Sequence, residues 1–334
     1  MRSKSISLIL LSLALSFVCC SQKKSEEART KETSTQVKES LADPEFVAAA
    51  INGDMEAVKA FIRKGADVNS KDPRGGLPVF LLAAGEGHVD VVRELISAGA
   101  DVNKLCDVLG SSAIFNASWH GKVDVVKELI KAGADVNARN SSQGTPLMHA
   151  AKFNGAMTGR PEVIQELLKA GAEINAKNRR GETALHEAAS GDIEVFRILI
   201  DAGADVNAAS EPGQTALMMA AQAGKTENIE ELLKHKANIN AVDTWDQWTA
   251  LQWAASGGQL EAVSLLIKNG ADIHLKDKNG KTALALAQEK GQTKVVDLLK
   301  AAGGERIRLS KSGGLGEIRK VNPPKRGVIW AVLP

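Results

Sequence analysis

Aromatic residues are scarce in this chain, and tyrosine is absent. Five Trp and seven Phe make up the whole aromatic content, 4% of the 334 residues. Ala and Gly are common instead, and 30 residues are Gly. Short helices that pack closely against one another need such small side chains, so the composition favours helical packing. The hydrophobic share of 44% and the charged share of 25% are ordinary for a folded chain.

Cysteine is also rare, with Cys19, Cys20 and Cys106 as the three in the chain. The first two end an N-terminal signal described below, so Cys106 would be the one thiol of the processed chain. One thiol forms no internal disulfide, which leaves stability to packing. We interpret Cys106 as a small residue of a connecting loop rather than as a redox centre.

Several enzyme motifs are missing as well. The sequence has no G-x-S-x-G elbow, no CxxC pair and no dinucleotide-binding glycine fingerprint. His186-Glu187 begins like a zinc-protease helix, but Ser190 stands where the second His is required. Two Gly-Lys-Thr triplets resemble the end of a phosphate-binding loop, but its first Gly is Met219 in one case and Leu275 in the other. We therefore expect no enzyme, no metal, no cofactor and no small-molecule substrate.

What the chain does contain is one phrase repeated seven times. It is GADVN ending at Asn69, Asn103, Asn137 and Asn207, GAEIN ending at Asn175, KANIN ending at Asn240 and GADIH ending at His274. Successive copies stand 32 to 38 residues apart. A period near 33 is typical of a small supersecondary unit stacked many times into an elongated solenoid.

Residues 178–207 show the pattern of one unit. Gly181 ends a turn, and Thr183 stands where a helix N-cap is expected. A short helix is predicted for 184–190 and a second one for about 193–201. Gly203 is the predicted C-cap, and GADVN leads into the next turn.

This pattern resembles the ankyrin repeat, in which G-x-T-P-L-H-x-A-A precedes a second helix and G-A-D-V-N. Matching segments are 181–189, 145–151, 213–221, 249–255 and 280–287, with weaker copies at 76–84 and 110–118. The resemblance implies an all-α repeat solenoid of about eight units, each a helix-turn-helix with a β-hairpin loop. It places the ankyrin-repeat domain at 44–304.

Four units depart from this pattern. The fourth has a longer loop around 155–159, and the fifth lacks one residue near Gly191. In the sixth, His235-Lys236 replaces the helix-ending Gly. We expect this replacement to cost energy, because a residue other than Gly does not adopt the left-handed conformation easily. The hairpin 243–248 of the seventh unit has no Gly.

The resemblance also implies a binding surface, since hairpin tips and the ends of first helices line a concave groove in this family. The residues in those positions are Trp119, His120, Lys152, Phe153, Arg179, Arg180, Glu211, Trp245 and Trp248. A Trp buried in an interface contributes ~2 kcal/mol or more. The alternative for the three Trp is packing, with Trp248 filling the gap left by the missing hairpin Gly. Trp253 falls on a core-facing position and is expected to be structural.

Residues 1–20 are predicted to form an export signal. Arg2 and Lys4 precede an apolar run over 6–18 that is too short to span a bilayer. The Cys pair that follows resembles a bacterial lipobox, which implies lipid modification of Cys20, or of Cys19. The alternatives are a signal peptide that is cleaved without lipid modification and one that stays uncleaved as an anchor. Residues 21–43, with five basic and five acidic residues, are predicted to be a flexible tether.

Residues 305–334 form a basic tail, with seven Lys and Arg against two Glu. It is predicted either to form short strands that cover the last unit or to be a flexible arm. The domain 44–304 has 33 acidic and 28 basic residues. An acidic stack argues against nucleic acid as the main partner.

Together these patterns predict an exported lipoprotein that binds an unidentified protein partner. We expect a membrane-anchored scaffold of the bacterial cell envelope, in the outer membrane or facing the periplasm. A rigid groove would favour affinity because little ordering entropy is lost on binding. One alternative is a surface-exposed, host-directed effector. A less favoured one is an enzyme with a site in the groove, where His120 and His149 would converge with carboxylates.

Overall fold

The computed structural model describes residues 41–106, 110–152 and 160–303. These ranges contain sixteen helices and no strand, arranged as eight consecutive pairs. The pairs are α1 (Pro44–Asn52) with α2 (Met55–Arg63), α3 (Val79–Glu86) with α4 (Val89–Ser97), α5 (Ala113–Trp119) with α6 (Val123–Lys131), α7 (Pro146–Ala151) with α8 (Pro161–Lys169), α9 (Ala184–Ala188) with α10 (Ile193–Asp201), α11 (Ala216–Ala223) with α12 (Thr226–Lys234), α13 (Ala250–Ser256) with α14 (Leu260–Lys268), and α15 (Ala283–Glu289) with α16 (Thr293–Ala302). The predicted all-α solenoid of eight units is confirmed.

The units lie side by side in chain order. Each first helix packs against the first helix of the next unit, and each second helix against the next second helix. No described helix is long and apolar enough to cross a bilayer. The longest of them, α16, has 10 residues.

The core is a continuous row of apolar side chains from both helices of each unit, and the first helices also contribute pairs of Ala. Second helices bury the same three positions in unit after unit, as in Val91, Val92 and Leu95 of α4. First helices bury pairs of Ala, such as Ala83 and Ala84 of α3, which lets neighbouring first helices approach closely. Burying a Leu or Val contributes about 1.5–3 kcal/mol. The low aromatic content follows from this tight spacing.

The Asn that ends each GADVN phrase is a bridge between units. Asn103 Nδ2 donates to Gly133 O at 3.1 Å, and its Oδ1 accepts from Asp135 N at 2.9 Å. The side chain thus binds a donor and an acceptor of the following unit at once. The same two-way bridge is formed by Asn69, Asn137, Asn175 and Asn207.

Hairpin tips are joined by backbone hydrogen bonds from one unit to the next. Arg179 N donates to Ser142 O at 2.9 Å, and Glu211 N donates to Arg180 O at 2.8 Å. The close approach explains a turn glycine: a Cβ on Gly181 would lie 2.9 Å from Glu211 N. Gly181 also has φ +70°, which disfavours any larger residue.

Within the described part of the chain, three non-glycine residues adopt the left-handed conformation. They are Gln143 with φ 61°, Lys236 with φ 64° and Gln247 with φ 57°. Lys236 stands where other units place their helix-ending Gly. As predicted, a residue with a side chain adopts the left-handed conformation there, which is energetically unfavourable. Gln247 supplies the left-handed residue of the one hairpin that has no Gly.

Asn228 of α12 compensates for the residue that the fifth unit lacks. It occupies a position where the other second helices have Val or Ala, and it is 1% exposed. Its Nδ2 donates to Ala189 O at 2.9 Å, in the shortened segment between α9 and α10. A buried carbonyl without such a partner would cost about 1–3 kcal/mol.

The fifth unit agrees closely with its prediction. Helix α10 has the predicted bounds, whereas α9 ends at Ala188, two residues earlier than expected. Residues 41–43 belong to the first unit: Ala42 N donates to Lys71 O at 2.8 Å, and Asp43 caps α1. The other predictions for 1–40, including Cys20, and for 305–334 lie outside the described residues.

The bridge predicts that replacing Asn137 with Ala destabilises the chain by about 1 kcal/mol, because two hydrogen bonds between the third and fourth units are lost. Urea unfolding followed by circular dichroism measures this change. His274→Ala is the matched control, since no side-chain bond from His274 to a later unit is found within the described ranges. An equal loss in both variants would contradict the bridging role of Asn137.

Candidate partner-binding face

We call the surface formed by the hairpin tips and the solvent-facing side of the first helices the inner face. Trp248 on a hairpin contacts Trp253 on α13, and Trp119 on α5 contacts His149 on α7. Hairpins and first helices therefore contribute to one continuous surface. The predicted site residues with described positions all lie on it; Phe153 is outside the described residues.

The middle of this face contains the central group, defined as Trp119, His149, Lys152, Arg160 and Glu187. Helix α5 ends at Trp119, which is half-buried. Its ring lies edge-on to His149, with centroids 5.8 Å apart, and the Arg160 guanidinium lies 5.4 Å from the Trp119 centroid. Trp119 thus packs against its own chain as well as facing the solvent.

Burial and nearby cations determine the charge of the central histidine. Desolvation, followed by the positive charges of Lys152 and Arg160, lowers the pKa of His149 to about 4. His149 is therefore neutral at neutral pH, and its Nε2 lies 3.0 Å from Asn140 Nδ2. Only the acceptor form of Nε2 fits that amide donor.

Lys152 and Glu187 complete the central group. Lys152 follows α7 and is exposed, and its Nζ lies 3.6 Å from Glu187 Oε2 on the next first helix. Burial raises the pKa of Glu187 above its ordinary value, against the opposing charge of Lys152. Arg160 donates to Lys152 O at 3.1 Å, so the buried guanidinium also fixes the end of α7.

His120, the C-cap of α5, is exposed next to Trp119. Shielding by its neighbours, and then the charge of Lys122, lower its pKa below the usual value. No group of three or more His, Cys, Asp or Glu suited to hold a metal occurs within 41–106, 110–152 and 160–303.

The charged hairpin residues Arg179, Arg180 and Glu211 are exposed, as predicted. Their backbones are held by the bonds between hairpins described above. Arg180 forms an ion pair with Glu182 at 3.3 Å, whereas the Arg179 side chain extends from the tip. These side chains offer charge at a rigid edge of the inner face.

Among the described residues of the inner face, Trp245 is the most exposed large hydrophobic side chain, at 60%. Its backbone is fixed, because its N–H donates to Asp243 at 3.1 Å and its carbonyl accepts from Lys278 Nζ at 2.7 Å. Lys278 also pairs with Asp246 at 2.7 Å. An indole in the solvent on a rigid backbone is suited to anchor a partner.

Trp248 is half-buried and does not project as Trp245 does. It packs edge-on against Trp253, with centroids 4.8 Å apart, and its Nε1 donates to Asp277 at 3.2 Å. This geometry is the packing alternative considered for Trp248, although part of the ring still faces the solvent. Trp253 packs on the core as expected, and its Nε1 donates to Asp243 at 2.9 Å.

Two features of this face were missed from the sequence. Arg160 follows a longer loop, and its contact with the Trp119 ring is the one cation–π contact to a Trp among the residues that the structure describes. The acceptors Asp243 and Asp277 begin their hairpins, where Asn140 and Asn178 stand in other units. Asp or Asn at the start of these four hairpins was a visible signal of this backbone capping.

Comparison with protein-family models identifies the fold. The model for ankyrin repeats (3 copies) matches residues 46–140, 139–210 and 217–311, most of the chain. The chain belongs to the ankyrin-repeat family, whose members are generally protein–protein interaction modules and typically not enzymes. A search of curated proteins gave no match.

The low pKa of His149 predicts a loss of stability in mild acid. Because the folded-state pKa of about 4 lies below the ordinary 6.5, the unfolded chain takes up the proton first as the pH falls. The stabilisation is complete above pH 6.5 and declines toward pH 4. Between about pH 7 and pH 5 we expect a loss of roughly 2 kcal/mol from this residue.

His149→Gln removes this titration and keeps a polar side chain near Asn140. Urea unfolding at both pH values should show a smaller acid-induced loss for the variant than for the parent. Burial of His186, which lowers its pKa, contributes equally to both proteins. The same acid-induced loss in parent and variant would show that His149 is not responsible.

Proposed function

We propose that this chain is a protein-interaction scaffold of the bacterial cell envelope, held at a membrane by lipid on Cys20 and binding a protein partner through the inner face. The observation that carries the binding part is Trp245. Its indole is 60% exposed on a backbone held by hydrogen bonds, which suits it to anchor a protein partner.

The rigidity of the inner face supports this function. Backbone bonds link the hairpins from Ser142 to Lys278, and two-way Asn bridges join each of the first five units to the next. A partner that binds such a surface orders few flexible groups, so little affinity is lost to entropy. Rigid aromatic anchors within a charged rim are typical of protein interfaces.

The envelope location is supported by the N-terminal pattern: a charged start, a short apolar run and a Cys pair before a charged tether. A host-directed effector at the cell surface would have the same signal and the same face. The enzymatic alternative gains no support from the central histidines. His149 pairs with the Asn140 amide, and Glu187 pairs with Lys152.

We expect Trp245→Ala to reduce recovery of the partner from envelope extracts about tenfold or more, since a Trp at the centre of an interface contributes ~2 kcal/mol. Pull-down with quantitative mass spectrometry measures recovery. Lys268→Ala, on the exposed side of α14 in the same unit, is the control and should leave recovery unchanged. Undiminished recovery with Trp245→Ala, and with Trp119→Ala, would defeat this assignment of the site.

Lipid attachment is tested separately. Metabolic labelling with a palmitate analogue should label the parent chain, and Cys20→Ser should abolish labelling and release the chain from the membrane fraction. Cys19→Ser is the control that keeps the proposed acceptor. Labelling that survives Cys20→Ser but not Cys19→Ser would assign the anchor to the other cysteine.

A further inference from the structure

Trp248 and Trp253 form a paired aromatic surface on the seventh unit. Their centroids are 4.8 Å apart with ring planes at 65°, and both side chains are half-buried. Trp253 comes from α13 and Trp248 from the hairpin that precedes it. Trp248 follows the exposed anchor Trp245 by three residues in the chain, and the pair lies on the same inner face.

Each indole is held by a buried carboxylate. Asp243, 1% exposed, accepts from Trp253 Nε1 at 2.9 Å, and Asp277, 5% exposed, accepts from Trp248 Nε1 at 3.2 Å. The second oxygen of each carboxylate accepts backbone N–H groups of its own hairpin. Both rings are therefore fixed, with an anionic group at the N–H edge.

No ion pair of Asp243 or Asp277 with a Lys or Arg is found among the described residues. The two cations on these hairpins form their ion pairs elsewhere: Lys278 pairs with Asp246, and Lys281 pairs with Glu289, although the charge of Lys281 also acts on Asp277. An indole that donates to a carboxylate carries more electron density in its ring, which strengthens its attraction for a cation. The negative charges of Asp243 and Asp277, at the N–H edges of the two rings, add to that attraction.

The central group shows how this chain covers a Trp when it supplies the cation itself. There the Arg160 guanidinium lies 5.4 Å from the Trp119 centroid. Across the ranges that the structure describes, no Lys or Arg lies over Trp248 or Trp253. The Trp248–Trp253 pair therefore offers indole rings to a cation as Trp119 does, but it has no counterpart of Arg160 among the described residues.

We propose that the Trp248–Trp253 pair binds an arginine side chain from a basic segment of the protein partner, which deepens the function proposed above and rests on it. The planar guanidinium stacks on an indole face and is less strongly hydrated than an ammonium group. Charge complementarity supports a basic partner, because the domain 44–304 has 33 acidic and 28 basic residues. Trp245 provides the neighbouring apolar contact.

The test uses the full chain and a short synthetic peptide of Ser and Gly with interspersed arginines. Its twin has citrulline, a neutral planar analogue, at each arginine. Titration is followed by NMR of the indole N–H signals. The five Trp give five signals, assigned with single Trp→Phe variants. We expect the Arg peptide to shift the signals of Trp248 and Trp253, and the citrulline twin to shift them much less.

Graded variants locate the site. Trp248→Phe should weaken binding of the Arg peptide and Trp248→Leu should weaken it further, by about three- to tenfold in total. Asp277→Asn should weaken binding as well. Asp205→Asn is its matched control, since Asp205 also accepts a hydrogen bond from a backbone N–H but lies in the distant GADVN phrase that ends at Asn207. An unchanged Trp119 signal shows that each variant is folded.

Three results would overturn the proposal. The first is equal binding of the arginine and citrulline peptides, and the second is equal weakening by Asp277→Asn and Asp205→Asn. The third concerns the basic tail 305–334. If replacing its seven Lys and Arg with Ser moves the Trp248 and Trp253 signals without peptide, the tail is the occupant rather than a partner.

The two proposals fail in different ways. If the Arg peptide binds as expected but no envelope protein is recovered by the parent chain, the scaffold function fails and the arginine site stands. If Trp248→Leu recovers a partner at the parent level, the arginine site fails and the scaffold function stands.

Discussion

The side-chain bridge at the end of each GADVN phrase is the contact on which the stack depends. One Asn amide binds a carbonyl and an N–H of the next unit, so it fixes both the distance and the rotation between neighbours. A helix pair of this size cannot bury its apolar side alone and requires a neighbour on each side. The bridge therefore turns local hydrophobic contact into a defined geometry. Bonds between hairpins fix the other edge, and the inner face takes its rigidity from the two together.

Two parts of the inner face have opposite electrostatic character. The central group combines Lys152 and Arg160 with a neutral histidine, and its one carboxylate, Glu187, has a raised pKa. The seventh unit instead places two buried carboxylates behind indole rings. Hydrogen bonds from the backbone N–H groups of Lys281 and Asn279 and from Trp248 lower the pKa of Asp277, outweighing desolvation, which alone would raise it.

The repeat period predicted a stacked solenoid, and the resemblance of each unit to the ankyrin repeat predicted its all-α fold, because each unit repeats the same spacing of caps, helices and glycines. The bounds of α10 and the left-handed Lys236 followed from that spacing alone. The half-buried state of Trp119 did not, since it depends on Arg160 returning from a loop of unusual length. Nor did the pairing of Trp248 with Trp253, which depends on indole N–H directions that no sequence period encodes. Pattern reasoning places a residue on a surface, but tertiary contacts decide how much of it the solvent reaches.

Asn228 limits how freely the units can be exchanged. The fifth unit is one residue short, and this leaves the Ala189 carbonyl without a partner in its own unit. The side-chain amide of Asn228, in the sixth unit, donates a hydrogen bond to that carbonyl. A recombination event or a protein engineer that replaced the sixth unit with an average copy would leave this oxygen orphaned, although every unit taken singly would look intact. The fifth and sixth units therefore have to be exchanged together if the Ala189 carbonyl is to keep this partner.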